Sequence, residues 1–141
     1  MGYQYAVFNV HLDSYTDPVH LFFFSDVHLD ARECDRELWR KNKRICKKTK
    51  NSIAFNMGDF GNLLMPNDVK RFRASEIDDE LLGRDDLLNA TRDWMVKEAR
   101  GLNWAGWITG NHELSMLKHN QYDIVSEVCR ELKTEPWIEL H

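Results

Sequence analysis

The sequence predicts an α/β fold in one domain, on three observations. Short apolar or aromatic runs alternate with helical stripes in the order ββαβαβαβ, the pattern of an α/β sandwich whose parallel strands are joined by right-handed crossovers. Three of the runs end in a polar cluster, as strands do when their carboxyl ends border a ligand crevice. The 141 residues, 43% of them hydrophobic, suffice for one core, and no linker or repeat divides them, so 1–141 reads as a single domain.

Taken in order, Tyr3 to Val10 and His20 to Ser25 read as strands, joined through the turn-forming Asp13 to Pro18 as a hairpin or as neighbours. From Ala31 to Lys50, Cys34, Leu38, Ile45 and Trp39, Cys46 fall at four- and seven-residue spacing, the mark of one helix face. A buried strand, Ser52 to Met57, follows. A long insertion comes next, with a short helix that Ser75 caps and Gly83 ends. Asp85 or Asp86 caps another helix, in which Leu87, Leu88, Thr91, Trp94, Met95 and Leu102 recur at helical spacing with Gly101 near its stop. Trp104 to Thr109 is the third buried strand. Leu117, Ile124, Val125, Val128 and Leu132 then make one helical stripe halted before Pro136, and Trp137 to Leu140 read as a last strand.

Composition excludes several classes. No uninterrupted apolar run exceeds the length of Leu21 to Phe24, far short of the roughly 20 residues of a membrane span. The N-terminus lacks the basic start and apolar stretch of a secretory signal, so the expected location is cytoplasmic, without membrane association. The three cysteines, Cys34, Cys46 and Cys129, lack ligand spacing and read as reduced thiols packed in helices. A net charge of −4 has the wrong sign for a protein that coats nucleic acid. A small phosphate ester stays compatible, because bound metal ions reverse the local charge.

The polar clusters are Asp26 and His28, then Asp59 and Asn62, then Asn111, His112 and Glu113. Carboxylate, imidazole and amide donors together suit borderline divalent ions such as Mn, Fe, Zn or Ni. An Asp-x-His pair in an extended segment points both side chains to one side and can hold one ion. Each cluster alone has a plainer explanation: a capping Asp, a Gly-Asp turn, an Asn helix cap. Three of them in order, each closing a strand, are hard to explain as independent turns.

Asp26-Val27-His28, Gly58-Asp59-Phe60-Gly61-Asn62 and Gly110-Asn111-His112-Glu113 resemble the first three signature motifs of calcineurin-like metallophosphoesterases, and the resemblance runs from about His20 to the C-terminus. The long insertion and the Trp-rich approach to the third motif are similar to those of bacteriophage-encoded members. The resemblance implies a β-sandwich flanked by helices and a dinuclear centre that hydrolyses phosphomonoesters or phosphodiesters with metal-bound hydroxide. It implies that Asp26 and His28 bind the first ion, that Asp59 bridges both, that Asn111 binds the second and that His112 is the catalytic histidine. A bridging carboxylate offsets the repulsion of two cations about 3.5–4 Å apart, and an imidazole can protonate the leaving oxygen. Asn62 stands where the family commonly places an acceptor for the catalytic histidine. Glu113 completes the motif, either as a hydrogen-bonding residue behind the ligands or as an acidic residue favoured at a helix start.

The family closes its site with later histidines, including a Gly-His-x-His segment that this sequence lacks. The only histidines after His112 are His119, on the polar side of the last helix, and His141. The expectation is therefore an incomplete, truncated domain prone to self-association. A rival reading is a non-catalytic interaction or regulatory domain of the same type. The eight Lys and Arg from Arg36 to Lys50 read as a solvated helix face, whereas Arg71 or Arg73 in the insertion could contact substrate phosphate. Nucleic acid stays open as a substrate, but not as an extended ligand.

Overall fold

The structure is a computed structural model that describes Val7 and residues 9–137. The predicted alternation holds from the second expected strand onward, except that the last helix is two. Strands β1 (His20–Phe24), β2 (Ser52–Asn56), β3 (Trp104–Ile108) and the two-residue β4 (Pro136–Trp137) are linked by helices α1 (Arg36–Lys48), α2 (Leu87–Ala99), α3 (Asn111–Asn120) and α4 (Ile124–Leu132). The strands form one open sheet in the order β1-β2-β3-β4, and every neighbouring pair is parallel. Parallel neighbours require crossover connections, which the helices supply. Among the described residues there is this single sheet, so an α/β fold is established and the first predicted strand lies largely outside the described residues, as do 138–140 of the last.

Register explains which face the helices cover. Phe22 pairs with Ala54 and Phe24 with Asn56, and these side chains share the face that meets the core. That core gathers Trp39 and Cys46 from α1, Met95, Val96 and Ala99 from α2, and Ile124, Val125, Val128 and Cys129 from α4. The opposite face is barely covered at its edge, where Leu21 is 53% and Phe23 60% exposed. Phe23 stacks on Phe55 there at 5.0 Å between ring centroids.

Several boundaries move. Helix α1 begins at Arg36 because Asp35 caps it, its carboxylate accepting from Leu38 N at 2.9 Å. Its inward stripe is Trp39 and Cys46; Leu38 and Ile45 are exposed, and Cys34 precedes the helix, its thiol donating to the Val27 carbonyl at 3.2 Å. Two ion pairs tie α1 down: Arg36 with Asp78, and Arg40 with Glu98 at 2.9 Å. Asp86 caps α2 as predicted. Ser75 caps nothing: it lies inside a single 3-10 turn, Ala74–Glu76. The expected single last helix is two, because Gln121 adopts a left-handed conformation (φ 53°) that ends α3. Leu117 accordingly sits exposed on α3, as His119 does. No helix among the described residues is long and apolar enough to cross a membrane.

Candidate functional site

The three polar clusters meet at the carboxyl ends of β1, β2 and β3. Main-chain bonds continue the β1–β2 ladder beyond the strands: Met57 N donates to Phe24 O at 2.7 Å, Asp26 N to Gly58 O at 3.1 Å, His28 N to Asp59 O at 3.1 Å and Leu29 N to Phe60 O at 2.9 Å. The two loops therefore run side by side as one body. Asp26, His28 and Asp59 all have positive φ, of 53°, 46° and 53°. The extended Asp-x-His segment of the sequence argument is thus corrected: the side chains are brought together by two left-handed residues. Such conformations cost about 1–2 kcal/mol each for non-glycine residues, and the ladder on both sides holds them.

The third cluster approaches through two glycines. Gly58 (φ 103°) packs so close to Gly110 that a Cβ on it would lie 2.9 Å from Gly110 Cα. A Cβ on Gly110 would lie 2.3 Å from Asp59 Oδ1 and 2.4 Å from Asp59 N. This contact brings α3 to the β2 loop, and Asp59 Oδ1 accepts from His112 N at 2.9 Å in the first turn of the helix.

Glu113 binds the loops together from beneath. Its buried carboxylate accepts from Asp59 N at 3.0 Å, Phe60 N at 2.9 Å, Gly61 N at 3.4 Å and Gly110 N at 3.0 Å. The last bond is the N3-to-N-cap half of a capping box, the glycine cap having no side chain to return the other half. Burial pushes the carboxyl up to about 7, against the amides, which favour its ionised form. Asp30 does the same for the following turn: buried, it accepts from Asn62 N and from Leu63 N at 2.9 Å, and burial raises its pKa. Sequence reasoning did not single out Asp30. Its one available signal was its position two residues beyond His28.

His28, Asp59 and His112 form the central group, with one ligand atom from each lying within 4.8 Å of the others. Two imidazoles and a carboxylate with open positions suit a borderline divalent ion, and opposed ligands around such an ion stand about 4.2 Å apart at most, so the group needs little contraction. His28 Nδ1 is buried without a hydrogen-bond partner among the described residues, as a nitrogen reserved for a ligand would be. The residues therefore fit one cation. Asp26 borders the group, its Oδ1 4.0 Å from His28 Nε2, while its other oxygen accepts from Ser25 Oγ. Asn111 is exposed on the first turn of α3.

The histidine contacts differ from expectation in one respect. Asn62 approaches His112 through its main-chain carbonyl, 2.6 Å from Nδ1, and not through its side chain. The His28 and His112 rings meet edge to face with centroids 4.7 Å apart. Arg71 reaches the site, its Nη2 3.0 Å from His112 Nδ1. Arg73 does not: its guanidinium turns back onto the carbonyls of Lys70 and Phe72, at 3.3 and 2.8 Å. His141 lies outside the described residues. Comparison of the chain with family models, curated proteins and solved structures gives no match.

Proposed function

We propose that this chain is a metal-dependent hydrolase of phosphate esters, monoester or diester, of the calcineurin-like metallophosphoesterase type. The observation that carries the reading is the convergence of His28, Asp59 and His112, from three strand ends far apart in sequence, to within 4.8 Å. In this reading His28 and Asp59 would hold a first divalent ion (Mn, Fe, Zn or Ni), with the Asp26 carboxylate beside it, and Asp59 and Asn111 would hold a second. Bound ions supply the charge that draws in phosphate oxygens and activates water. The chain's own part is positional. Glu113 and Asp30 fix the loops, and Arg71 and the Asn62 carbonyl both face Nδ1 of the His112 ring, which gives a proton to the leaving oxygen. The two-sheet fold of that family belongs to the same proposal; what supports it is the apolar sheet face at Leu21 and Phe23, suited to a second layer.

A second reading, a non-catalytic domain of the same type, is favoured by the exposure of Asn111, the residue expected to hold the second ion. Calorimetric titration with Mn²⁺, alongside hydrolysis of p-nitrophenyl phosphate, separates the two. The hydrolase reading expects binding and turnover in the native chain and severe loss of both in Asp59→Asn, which removes the anionic charge that makes close cations tolerable. Equal Mn²⁺ binding by both proteins, each folded by circular dichroism, overturns the assignment of Asp59. Binding without turnover favours the non-catalytic domain.

A further inference from the structure

Two groups claim the same atom of His112. The Asn62 carbonyl lies 2.6 Å from Nδ1, and Arg71 Nη2 lies 3.0 Å from it. A neutral ring carries either a proton or a lone pair at Nδ1, so it can donate to the carbonyl or accept from the guanidinium, but not both. The guanidinium is always a donor and its bond is charge-assisted, about twice as strong as a neutral one; the carbonyl oxygen, then facing the Nδ1 lone pair, must draw back from 2.6 Å. It is also held in place. Arg71 Nε stands 3.5 Å from Asp68 Oδ2, and Arg71 N donates to Asp68 Oδ1 at 3.3 Å. Asp68 is buried and accepts from Ser115 Oγ at 3.2 Å, on the same helix as His112.

We propose that Arg71 is a positioning residue that sets the tautomer of His112. Its guanidinium donates to Nδ1, so the ring proton sits on Nε2, the nitrogen that neither Asn62 nor Arg71 engages. In that state Nε2 is a proton donor and not a ligand. Without the Arg71 guanidinium, the ring loses the proton at Nε2 to water and takes one from water at Nδ1, which donates to the Asn62 carbonyl. Nε2 then holds the lone pair that His112 needs to join His28 and Asp59 on a metal ion. Arg71, carried by the long insertion, thus decides between two uses of one histidine. The tautomer needs no metal; its meaning for catalysis rests on the phosphoester reading.

The test is long-range ¹H–¹⁵N correlation of the histidine rings in the full chain with EDTA, about two pH units above the ordinary imidazole pKa of about 6.5 so that the ring is neutral. The His112 signals are assigned by their loss in His112→Gln. In the native chain Nε2 is of the protonated type and Nδ1 is not. In Arg71→Met the pattern reverses, and in Arg71→Lys, which keeps a cationic donor, it is retained. A native ring protonated on Nδ1, or an unchanged pattern in folded Arg71→Met, overturns the proposal. Should Arg71→Met fail to fold by its amide spectrum, Asp68→Asn, which frees the guanidinium from its anchor, decides by the same reversal. Failure of the hydrolase reading shows separately, as absent Mn²⁺ binding or absent turnover, and leaves the ring spectrum unaffected.

Discussion

Gly110→Ala tests the close approach on which the site depends. Gly110 has φ −83°, an ordinary value for any residue, so the substitution brings no backbone strain and acts through contact alone. The new Cβ would lie 2.3 Å from Asp59 Oδ1 and 2.4 Å from Asp59 N. Carbon contacts settle near 3.5–4.0 Å, so the Asp59 main chain must retreat by about 1 Å. The side chain could rotate away, but the amide cannot. Overpacking of this kind costs about 1–3 kcal/mol, and the retreat weakens the amide bonds at His112 N, Asp59 N and Gly110 N by about 1 kcal/mol each. The expected loss is about 4–6 kcal/mol, roughly 12–24 °C in Tm for a chain of this size. Gly83→Ala is the control: Gly83 has φ 83° and open space around it, so only the left-handed conformation is penalised, by about 1–2 kcal/mol. Thermal melts followed by circular dichroism, with Mn²⁺ titration of each variant, make the comparison. A Gly110→Ala protein that melts within about 2 °C of the native chain and binds Mn²⁺ equally well would refute the reasoning.

Glu113 should make stability fall with rising pH. Its folded pKa is raised from 4.5 to about 7, so its contribution is full below 4.5 and is lost as pH climbs through 7, about 3 kcal/mol in all. Urea unfolding in EDTA from pH 5 to 8 should show the native chain losing stability relative to Glu113→Gln; a difference that is flat with pH contradicts this. Asp30→Ala strands the amides of Asn62 and Leu63 and should cost about 2–4 kcal/mol by the same measurement, with a loss under about 1 kcal/mol counting against the clamp. The apolar edge at Leu21 and Phe23 should drive self-association, so Leu21→Lys with Phe23→Lys should shift sedimentation towards monomer, and unaltered sedimentation would acquit that surface.

The parts legible in the sequence were those set by local periodicity and chain order. Three strands and the Asp86-capped helix were read within a residue or two, because apolar runs and a capping carboxylate act over short range, but the first of these strands, expected to be buried, is an exposed sheet edge. The helix split at Gln121 escaped because Leu117 fits the later stripe by spacing alone, and no glycine announces the left-handed turn. In the site, His28, Asp59 and His112 could be singled out by their place at strand ends. The roles of Asp30 and of the Asn62 carbonyl could not, since both depend on main-chain groups from loops about 30 to 50 residues away. Arg71 and Arg73 look equivalent on paper. Only the fold distinguishes them, through the buried Asp68 that turns one towards His112.

Phe60, next to Asp59, sits fully buried among three tryptophan rings, with centroids 5.2 Å from Trp39, 6.5 Å from Trp104 and 4.7 Å from Trp107. Trp104 and Trp107 also touch each other, at 5.1 Å. The loop that carries the central carboxylate is therefore wedged into the protein's own fluorophores. Any event that shifts Asp59, whether an arriving ion or a crowding methyl group, alters the packing and polarity around these indoles. The protein thus carries an intrinsic optical gauge of its candidate site, readable in emission wavelength and intensity without any label.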